Sequence, residues 1–228
     1  MIPLRDANPA ERPPLMTGAL IVANLAAFVY QLSLGPGEQQ PMLFRFGLVP
    51  AKLTEPDWAA AVAGTASVLP FLTSMFLHGG IMHLVGNMWF MWIFADNVED
   101  RMGSFRFLAF YLLCGLSASA AHLALNLHSR IPTIGASGAI AGVLGAYFLM
   151  YPKARVLTLV PLGFFTRLIE LPAFVVLGMW IVLQTVYGLM SATGPHAVGV
   201  AFWAHIGGFL AGMLLYRLFL RGRTRGRA

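Results

Sequence analysis

The stretch IPTIGASGAIAGVLGAYFLM, residues 131–150, has the composition of a helix built from small and apolar residues. Ser137 stands near its beginning, two residues after Gly135 and directly before Gly138. Gly138 and Gly142 are four residues apart, so they lie on one side of a helix, where small residues let a second helix approach closely. Two interpretations of Ser137 follow: a small packing residue, or a nucleophile at the start of a helix inside a membrane.

The composition of the whole chain is that of a membrane protein. Of its 228 residues, 58% are hydrophobic and 11% are charged, and the mean hydropathy is +0.72. Soluble domains have about 25% charged residues. The net charge of +6 comes from basic residues between apolar runs and at the C-terminal end, which indicates membrane orientation and no nucleic-acid partner. The single cysteine, Cys114, excludes a disulfide within the chain.

Six apolar runs are near the roughly 20 residues that cross a bilayer as a helix. They are Leu15–Leu34, Pro70–Ala95, Phe105–Leu127, Ile134–Tyr151, Leu168–Met190 and Ala197–Leu220. The predicted fold class is therefore an all-α membrane protein, a six-transmembrane-helix bundle. The predicted organisation is a leader at 1–14, a transmembrane domain at 15–220 with a long outer loop at 35–69, and a basic tail at 221–228. The loop 35–69 and the stretch 156–165, which Pro161 interrupts, are expected to lie along the membrane interfaces.

The distribution of Lys and Arg predicts the orientation of the bundle. With the N-terminus in the cytoplasm, the inner segments carry twelve basic residues and the outer segments three. The outer three are Arg45, Lys52 and Arg130. Both termini are therefore predicted to be cytoplasmic, and the second, fourth and sixth spans run from outside to inside.

Polar residues inside spans are functional candidates, because they are costly in lipid. Ser137, His205, His83 and Asn87 fall at similar depth below the outer surface, since all of them lie in spans that begin outside. A serine hydroxyl becomes a nucleophile when a neighbouring base accepts its proton, and histidine is the usual base. Gly208 and Gly212 of the sixth span can pack against Gly138 and Gly142 and bring His205 to Ser137.

Acyl transfer also needs donors for an oxyanion. Asn87 and His83 are one helical turn apart, so both side chains lie on one face of the second span. The backbone N–H of Ser137 is a third candidate. We interpret His78 and His122 as structural hydrogen-bonding residues, and the charged residues from Asp96 to Arg101 as a solvated helix end.

Three stretches together resemble the rhomboid intramembrane serine proteases of the bacterial type. They are FLTSMFLHGGIMHLVGNMWFMWIFADNVEDRMG (71–103), GASGAIAG (135–142) and AHIGGFLAG (204–212). The resemblance implies Ser137 as nucleophile, His205 as general base, and Asn87 and His83 as the oxyanion-stabilising pair. It implies cleavage of transmembrane protein substrates near the outer membrane face. Many rhomboids carry a Trp-Arg pair in the long outer loop, whereas here Trp58 is followed by Ala59.

Two other functions remain open from the sequence. A metalloprotease would use His78, His83 or His122, but no glutamate follows either histidine of the second span as the H-E-x-x-H pattern requires. A catalytically silent rhomboid-like adaptor would bind client transmembrane helices without cleaving them. We expect no cofactor and no metal, a lipid bilayer as the surroundings, and a multi-pass protein of a bacterial inner (plasma) membrane whose site opens to the outer face. The oligomeric state does not follow from the sequence.

Overall fold

The computed structural model describes residues 1–35, 37–63, 67–162, 165–193 and 201–221. The longer elements are β1 (Ile2–Asp6), α1 (Leu15–Ser33), α6 (Ile81–Met102), α7 (Ser104–Leu125), α8 (Ser137–Met150), β2 (Arg155–Leu162), β3 (Phe165–Pro172), α9 (Ala173–Thr193) and α10 (Phe202–Phe219). Between α1 and α6 lie α2 (Gln39–Phe46), α3 (Ala51–Thr54), α4 (Pro56–Trp58), a π-helix (Ala59–Ala63), α5 (Pro70–Thr73) and a 3₁₀ turn (Ser74–Phe76).

The structure is mostly helical, as the sequence predicts. Among the described residues, four helices are long and apolar enough to cross a membrane: Leu15–Ser33, Ser104–Leu125, Ala173–Met190 and Phe202–Phe219. Helix α8 is apolar but shorter, and α6 carries four charged residues near its C-terminal end. The six-span arrangement thus remains a prediction for α6 and α8.

In the second and fifth predicted spans, the first part of the apolar run forms a different structure and the helix begins later. The second was expected from Pro70, but residues 70–76 form short separate turns and α6 begins at Ile81, after Gly79 and Gly80. The fifth was expected from Leu168, but β3 continues to Pro172 and α9 begins at Ala173. Pro172 lacks a backbone N–H and therefore fits the boundary just before a helix.

A three-stranded antiparallel sheet corrects the all-α prediction. Its strand order is β1-β2-β3. β2 and β3 form a hairpin with Arg155 opposite Pro172, and β1 pairs with β2 with Ile2 opposite Leu159. The stretch predicted to lie along the inner interface is thus the central strand of a sheet.

Helix α8 lies at the centre of the bundle. Its residues from Gly138 to Tyr147 are buried, with α6, α7, α9 and α10 packed around it. A helix that neighbours surround on all sides needs small residues, and this explains its glycines and alanines. The largest buried side chains near it are aromatic: Phe94, Phe107, Phe110, Tyr111 and Tyr147.

Glu99 corrects the prediction that the charged end of α6 is solvated. Its side chain is buried, and its carboxylate accepts hydrogen bonds from the backbone N–H groups of Met16 (2.9 Å) and Thr17 (2.8 Å). The hydroxyls of Thr17 (2.8 Å) and Ser104 (2.6 Å) also donate to it. The first turn of a helix has unpaired N–H groups, so Glu99 caps α1 from a neighbouring helix.

Both ends of the described chain lie at the end of the bundle where α6 finishes. The backbone N–H of Arg221 donates to the carbonyl of Arg101 (3.1 Å), and the N–H of Glu11 donates to Asp100 (3.3 Å). The two ends thus lie on the same side of the bundle. Residues 222–228 of the predicted basic tail lie outside the described residues.

An ion pair between Glu55 and Arg130 helps to join the loop 35–69 to the segment before α8. Glu55 accepts from the Arg130 guanidinium (2.7 Å), which holds the pKa of Glu55 below its ordinary value. The same guanidinium lies 5.0 Å from the centre of the Trp58 ring. Trp58 therefore contacts an arginine, but this arginine comes from a different loop. In many rhomboids the tryptophan and the arginine are adjacent in the chain.

Candidate active site

Ser137 is the first residue of α8, with Ala136 at the N-cap. Gly135 has φ +123°, a conformation that favours glycine, and its N–H donates to the carbonyl of Ser74 (2.8 Å). This turn places Ser137 at the positive end of the α8 dipole, where the first backbone N–H groups have no acceptor within the helix. The Ser137 side chain is half-buried.

His205 lies in the first turn of α10 and contacts Ser137. Its Nε2 lies 2.7 Å from the Ser137 Oγ, and its ring is buried. The two residues are 68 positions apart in the chain, so the contact depends on how α8 and α10 pack. The distance is within the range in which a serine hydroxyl donates to an imidazole nitrogen.

Glycines bring the backbones of α8 and α10 into contact. A Cβ at Gly208 would overlap with the carbonyl of Gly138, and a Cβ at Gly212 would overlap with the carbonyl of Gly142. The four glycines that were predicted to be packing positions therefore face each other in pairs. Because this contact lies directly below Ser137 and His205, it sets the separation of their side chains.

The two residues proposed to stabilise an oxyanion lie beside Gly135. A Cβ at Gly135 would be 2.8 Å from His83 Nε2 and 3.5 Å from Asn87 Nδ2. Because Gly135 has no side chain, both nitrogens can lie close to the backbone that precedes Ser137. Asn87 is buried, whereas His83 is exposed.

Hydrogen bonds orient both of these side chains. The N–H of Gly79 donates to His83 Nδ1 (3.3 Å), so the hydrogen of the neutral ring is on Nε2, the atom nearer Gly135. Asn87 Nδ2 lies 2.9 Å from His78 Nε2 and can donate only one of its two hydrogens to that nitrogen. Each side chain therefore keeps one N–H for another acceptor.

His78, predicted to be a structural hydrogen-bonding residue, contacts Asn87 of the site. Besides its contact with Asn87, its backbone is held by Gln31 of α1, which accepts from the His78 N–H (2.9 Å) and donates to the His78 carbonyl (3.0 Å). His78 thus links α1 to the site. Its position nine residues before Asn87 gave no periodic signal, because the chain between them turns at Gly79 and Gly80 before α6 begins.

Gln184 of α9 also contacts the site, and the sequence analysis missed it. Its Oε1 lies 2.8 Å from His205 Nδ1. Trp180, one turn earlier, packs its ring against the His205 ring with centroids 5.8 Å apart and planes 38° apart. The signal that could have found Gln184 is its amide in the middle of an apolar helix.

A small cavity of about 20 Å³ adjoins Ser137. Polar residues in its wall include Ser74, Ser119 and Thr133. His122, predicted to be structural, lies 2.9 Å from the Thr133 hydroxyl through its Nε2. A volume of this size with polar walls is sufficient for one water molecule.

The arrangement combines an activated hydroxyl with donors for negative charge. The serine has a base on one side and the turn at Gly135, with two side-chain N–H donors, on the other. This is the set of groups that acyl transfer requires.

Comparison with known proteins agrees with the resemblance seen in the motifs. A family model described as the Rhomboid domain matches residues 65–222. RHOMBOID-like protein 6, mitochondrial, of Arabidopsis thaliana is 35% identical over 122 residues, which are 54% of this chain and 39% of that protein. Rhomboid protein 1, mitochondrial, of Saccharomyces cerevisiae is 27% identical over 214 residues, 89% of this chain and 52% of that protein.

A bacterial relative matches over a shorter segment. Rhomboid protease GluP of Bacillus subtilis is 45% identical over 75 residues, which are 33% of this chain and 14% of that protein. The matched stretch spans about half the length of these relatives or less.

Proposed function

The chain belongs to the rhomboid family, and from this premise we propose that it is an intramembrane serine endopeptidase with a Ser137–His205 dyad. The observation that carries the proposal is the 2.7 Å contact between Ser137 Oγ and His205 Nε2. The substrates are transmembrane segments of other proteins. The similarity to Rhomboid protease GluP of Bacillus subtilis supports the same activity for this chain.

The reaction begins when Ser137 Oγ attacks the scissile carbonyl and its proton moves to His205 Nε2. The carbonyl oxygen becomes an oxyanion, which Asn87, His83 and the backbone N–H of Ser137 stabilise by hydrogen bonds. His205 then gives the proton to the leaving amine, and an acyl-enzyme remains. Water, deprotonated by His205, attacks the ester, and its products are the free carboxylate and the regenerated Ser137 hydroxyl.

We assign the site to the outer part of the membrane. The basic residues favour the cytoplasmic side for both ends of the chain, and α8 and α10 begin at the opposite end of the bundle. Ser137 and His205 lie in the first turns of these helices, so water reaches them from outside. The bacterial inner membrane is part of the same proposal, which the bacterial relative supports, whereas the relatives from Arabidopsis thaliana and Saccharomyces cerevisiae are mitochondrial proteins.

The test is cleavage of a single-span substrate in liposomes by the purified protein. Ser137→Ala and His205→Ala are each expected to lower kcat at least about 1,000-fold, since dyad members act as a unit. Matched controls are Ser117→Ala, whose hydroxyl bonds to its own helix at Leu113, and His128→Ala, whose side chain is 80% exposed. Both controls are expected to cleave like the wild type.

Other outcomes lead to other functions. Equal cleavage by Ser137→Ala would place the activity elsewhere, and loss of cleavage on adding a chelator would favour a metalloprotease. If no substrate is cut and a fluorophosphonate probe does not label Ser137, the adaptor function is favoured. Labelling without cleavage would mean that the substrate was wrong.

A further inference from the structure

Three side chains from three helices form one continuous chain of contacts at the site. Ser137 Oγ of α8 lies 2.7 Å from His205 Nε2 of α10, and His205 Nδ1 lies 2.8 Å from Gln184 Oε1 of α9. The imidazole is therefore held at both nitrogens. A catalytic dyad of serine and histidine explains the contact between Ser137 and His205, but not the contact between His205 and Gln184.

The contact at Nδ1 determines which nitrogen of His205 carries the hydrogen. A neutral imidazole has one N–H, and an amide oxygen can only accept. With Oε1 facing Nδ1, the hydrogen is on Nδ1, and the lone pair of Nε2 is free to receive the proton of Ser137. With the amide reversed, Nδ1 would accept from the NH₂ group, Nε2 would carry the hydrogen, and His205 would lose its function as a base.

The same contact becomes stronger during the reaction. When His205 takes the proton from Ser137 it becomes a cation, and its Nδ1–H···Oε1 bond becomes charge-assisted. An interaction that is stronger in the transition state than in the ground state raises kcat. The Trp180 ring, at 5.8 Å from the imidazole, adds a face that attracts a cation.

The hydrogen-bond partner of Gln184 lies on another helix, which distinguishes Gln184 from its neighbour in α9. An amide inside an apolar helix is costly in lipid unless it finds a partner. Thr185, the next residue, bonds back to the carbonyl of Ile181 in its own helix (2.9 Å), whereas Gln184 reaches across to α10. Gln184 and Trp180 are one turn apart, so α9 contacts the imidazole at one edge and on one face.

We propose that Gln184 is a positioning residue of the active site, which holds His205 in the orientation and tautomer that accept the proton of Ser137. The inference rests on the proposed protease function. Gln184 takes no proton itself. Among the residues that the structure describes, the other titratable side chains that act electrostatically on His205 are His83 and His122, in α6 and α7.

The first experiment compares kcat, KM and pH profiles of three variants with the wild type in liposomes. Gln184→Met keeps the shape and removes the acceptor; kcat is expected to fall about 10- to 100-fold with KM changed less than about twofold. Gln184→Glu supplies a stronger acceptor that fits only the productive tautomer. It is expected to restore most of kcat and to move the acidic limb of the pH profile to higher pH, because a carboxylate favours the protonated ring. Thr185→Val is the matched control and should resemble the wild type.

A merely structural role for Gln184 predicts different results. Equal kcat for Gln184→Met and the wild type, or equal pH profiles for Gln184→Glu and Gln184→Met, would overturn the proposal. Inactivity of the wild type itself would contradict the proposed function instead.

A second measurement is independent of proteolysis. ¹⁵N spectra of the histidine rings in detergent, assigned with His205→Ala, report the tautomer of His205. We expect a hydrogen on Nδ1 in the wild type and a mixture of tautomers in Gln184→Met. Identical tautomers in both would overturn the proposal even if no substrate is cleaved.

Discussion

The proposed stabilisation of an oxyanion depends on how many N–H groups Asn87 has free to donate. One N–H of its amide is directed to His78 Nε2, and the other is left for an acceptor near Gly135. Removing one donor from an oxyanion site lowers kcat by about 10²- to 10³-fold. We predict a loss of this size in kcat for Asn87→Ala, with little change in KM, measured with the liposome assay.

The matched control for this prediction is Asn126→Ala. Asn126 is also an asparagine, but its amide donates to the carbonyl of His122 at the end of α7. An Asn87→Ala protein that cleaves as fast as the Asn126→Ala protein would exclude Asn87 from the oxyanion site.

The candidate site could be predicted from the sequence where its residues belong to short motifs. Ser137 with its flanking glycines, and His83 with Asn87 one turn later, are recognisable because their spacing carries the geometry. Gln184 and the contact of His78 with Asn87 were not predicted, for a physical reason. Each depends on a contact with a residue on another turn or helix, and such a contact leaves no periodicity in the sequence.

Helices α8 and α10 approach so closely that their contact tolerates no side chain. A methyl group at Gly212 would collide with the backbone carbonyl of Gly142, and a backbone carbonyl cannot rotate away. We predict that Gly212→Ala lowers the free energy of unfolding in detergent by about 1–3 kcal/mol, the usual range for overpacking. It should also reduce cleavage, because Ser137 and His205 are carried by these helices.

Gly86→Ala is the matched control for Gly212→Ala. Gly86 lies inside α6, and a Cβ there would have no atom within 4 Å. Because alanine favours the helix, this substitution should be neutral or stabilising by about 0.4–1 kcal/mol. If both substitutions change the unfolding equally, the close contact of α8 and α10 does not contribute to stability.

The elements that the sequence analysis missed are the strands. Most of the run 156–172 is apolar, and in a membrane protein such a run resembles an interfacial segment or the start of a span. The run forms the hairpin of β2 and β3, and β2 also pairs with β1, whose residues lie about 150 positions earlier. The pairing with β1 gives no local signal because the partner is so distant in the chain, whereas helices satisfy their own backbones and are visible in hydropathy.

At the scale of the whole molecule, the orientation in the membrane is predicted from charge and can be tested with single cysteines. The native Cys114 is fully buried, so it does not compete for labelling. Cysteine at His128, before α8, should react with an impermeant maleimide added outside intact cells. Cysteine at Lys153, after α8 and also exposed, should react only after permeabilisation. The reverse pattern would invert the topology and move the site to the cytoplasmic side.

The N-terminal strand is attached to the bundle through a carboxyl group whose pKa is raised by burial. Asp6 accepts from the Tyr147 hydroxyl (2.6 Å) and from the Asn97 amide (3.2 Å). Burial raises the pKa of Asp6 from 3.8 to about 6; the Tyr147 bond opposes this shift, and the nearby Asp96 charge adds to it. The folded protein thus holds this proton more tightly than the unfolded chain does, so the stability that Asp6 contributes falls as the pH rises from about 4 through 6.

We therefore predict that the wild type is more stable relative to Asp6→Asn at pH 4.5 than at pH 7. Thermal unfolding of both proteins in detergent at the two pH values measures this difference. The control is Asp57→Asn, a substitution of an exposed aspartate in the loop 35–69. A difference between wild type and Asp6→Asn that does not change with pH would show that Asp6 is not the titrating group.

The pairing of Ile2 with Leu159 also has a consequence for how the protein is made. During translation, β1 leaves the ribosome first, but its partner strand follows only after about 150 more residues, which takes on the order of 10–30 s at 5–20 residues per second. Throughout this interval the backbone of residues 2–6 has no sheet to join, while the early helices are already being inserted. β1 is therefore synthesised before β2 but joins the sheet late. Until then its backbone can pair with the exposed edge strand of any nascent or cytosolic protein.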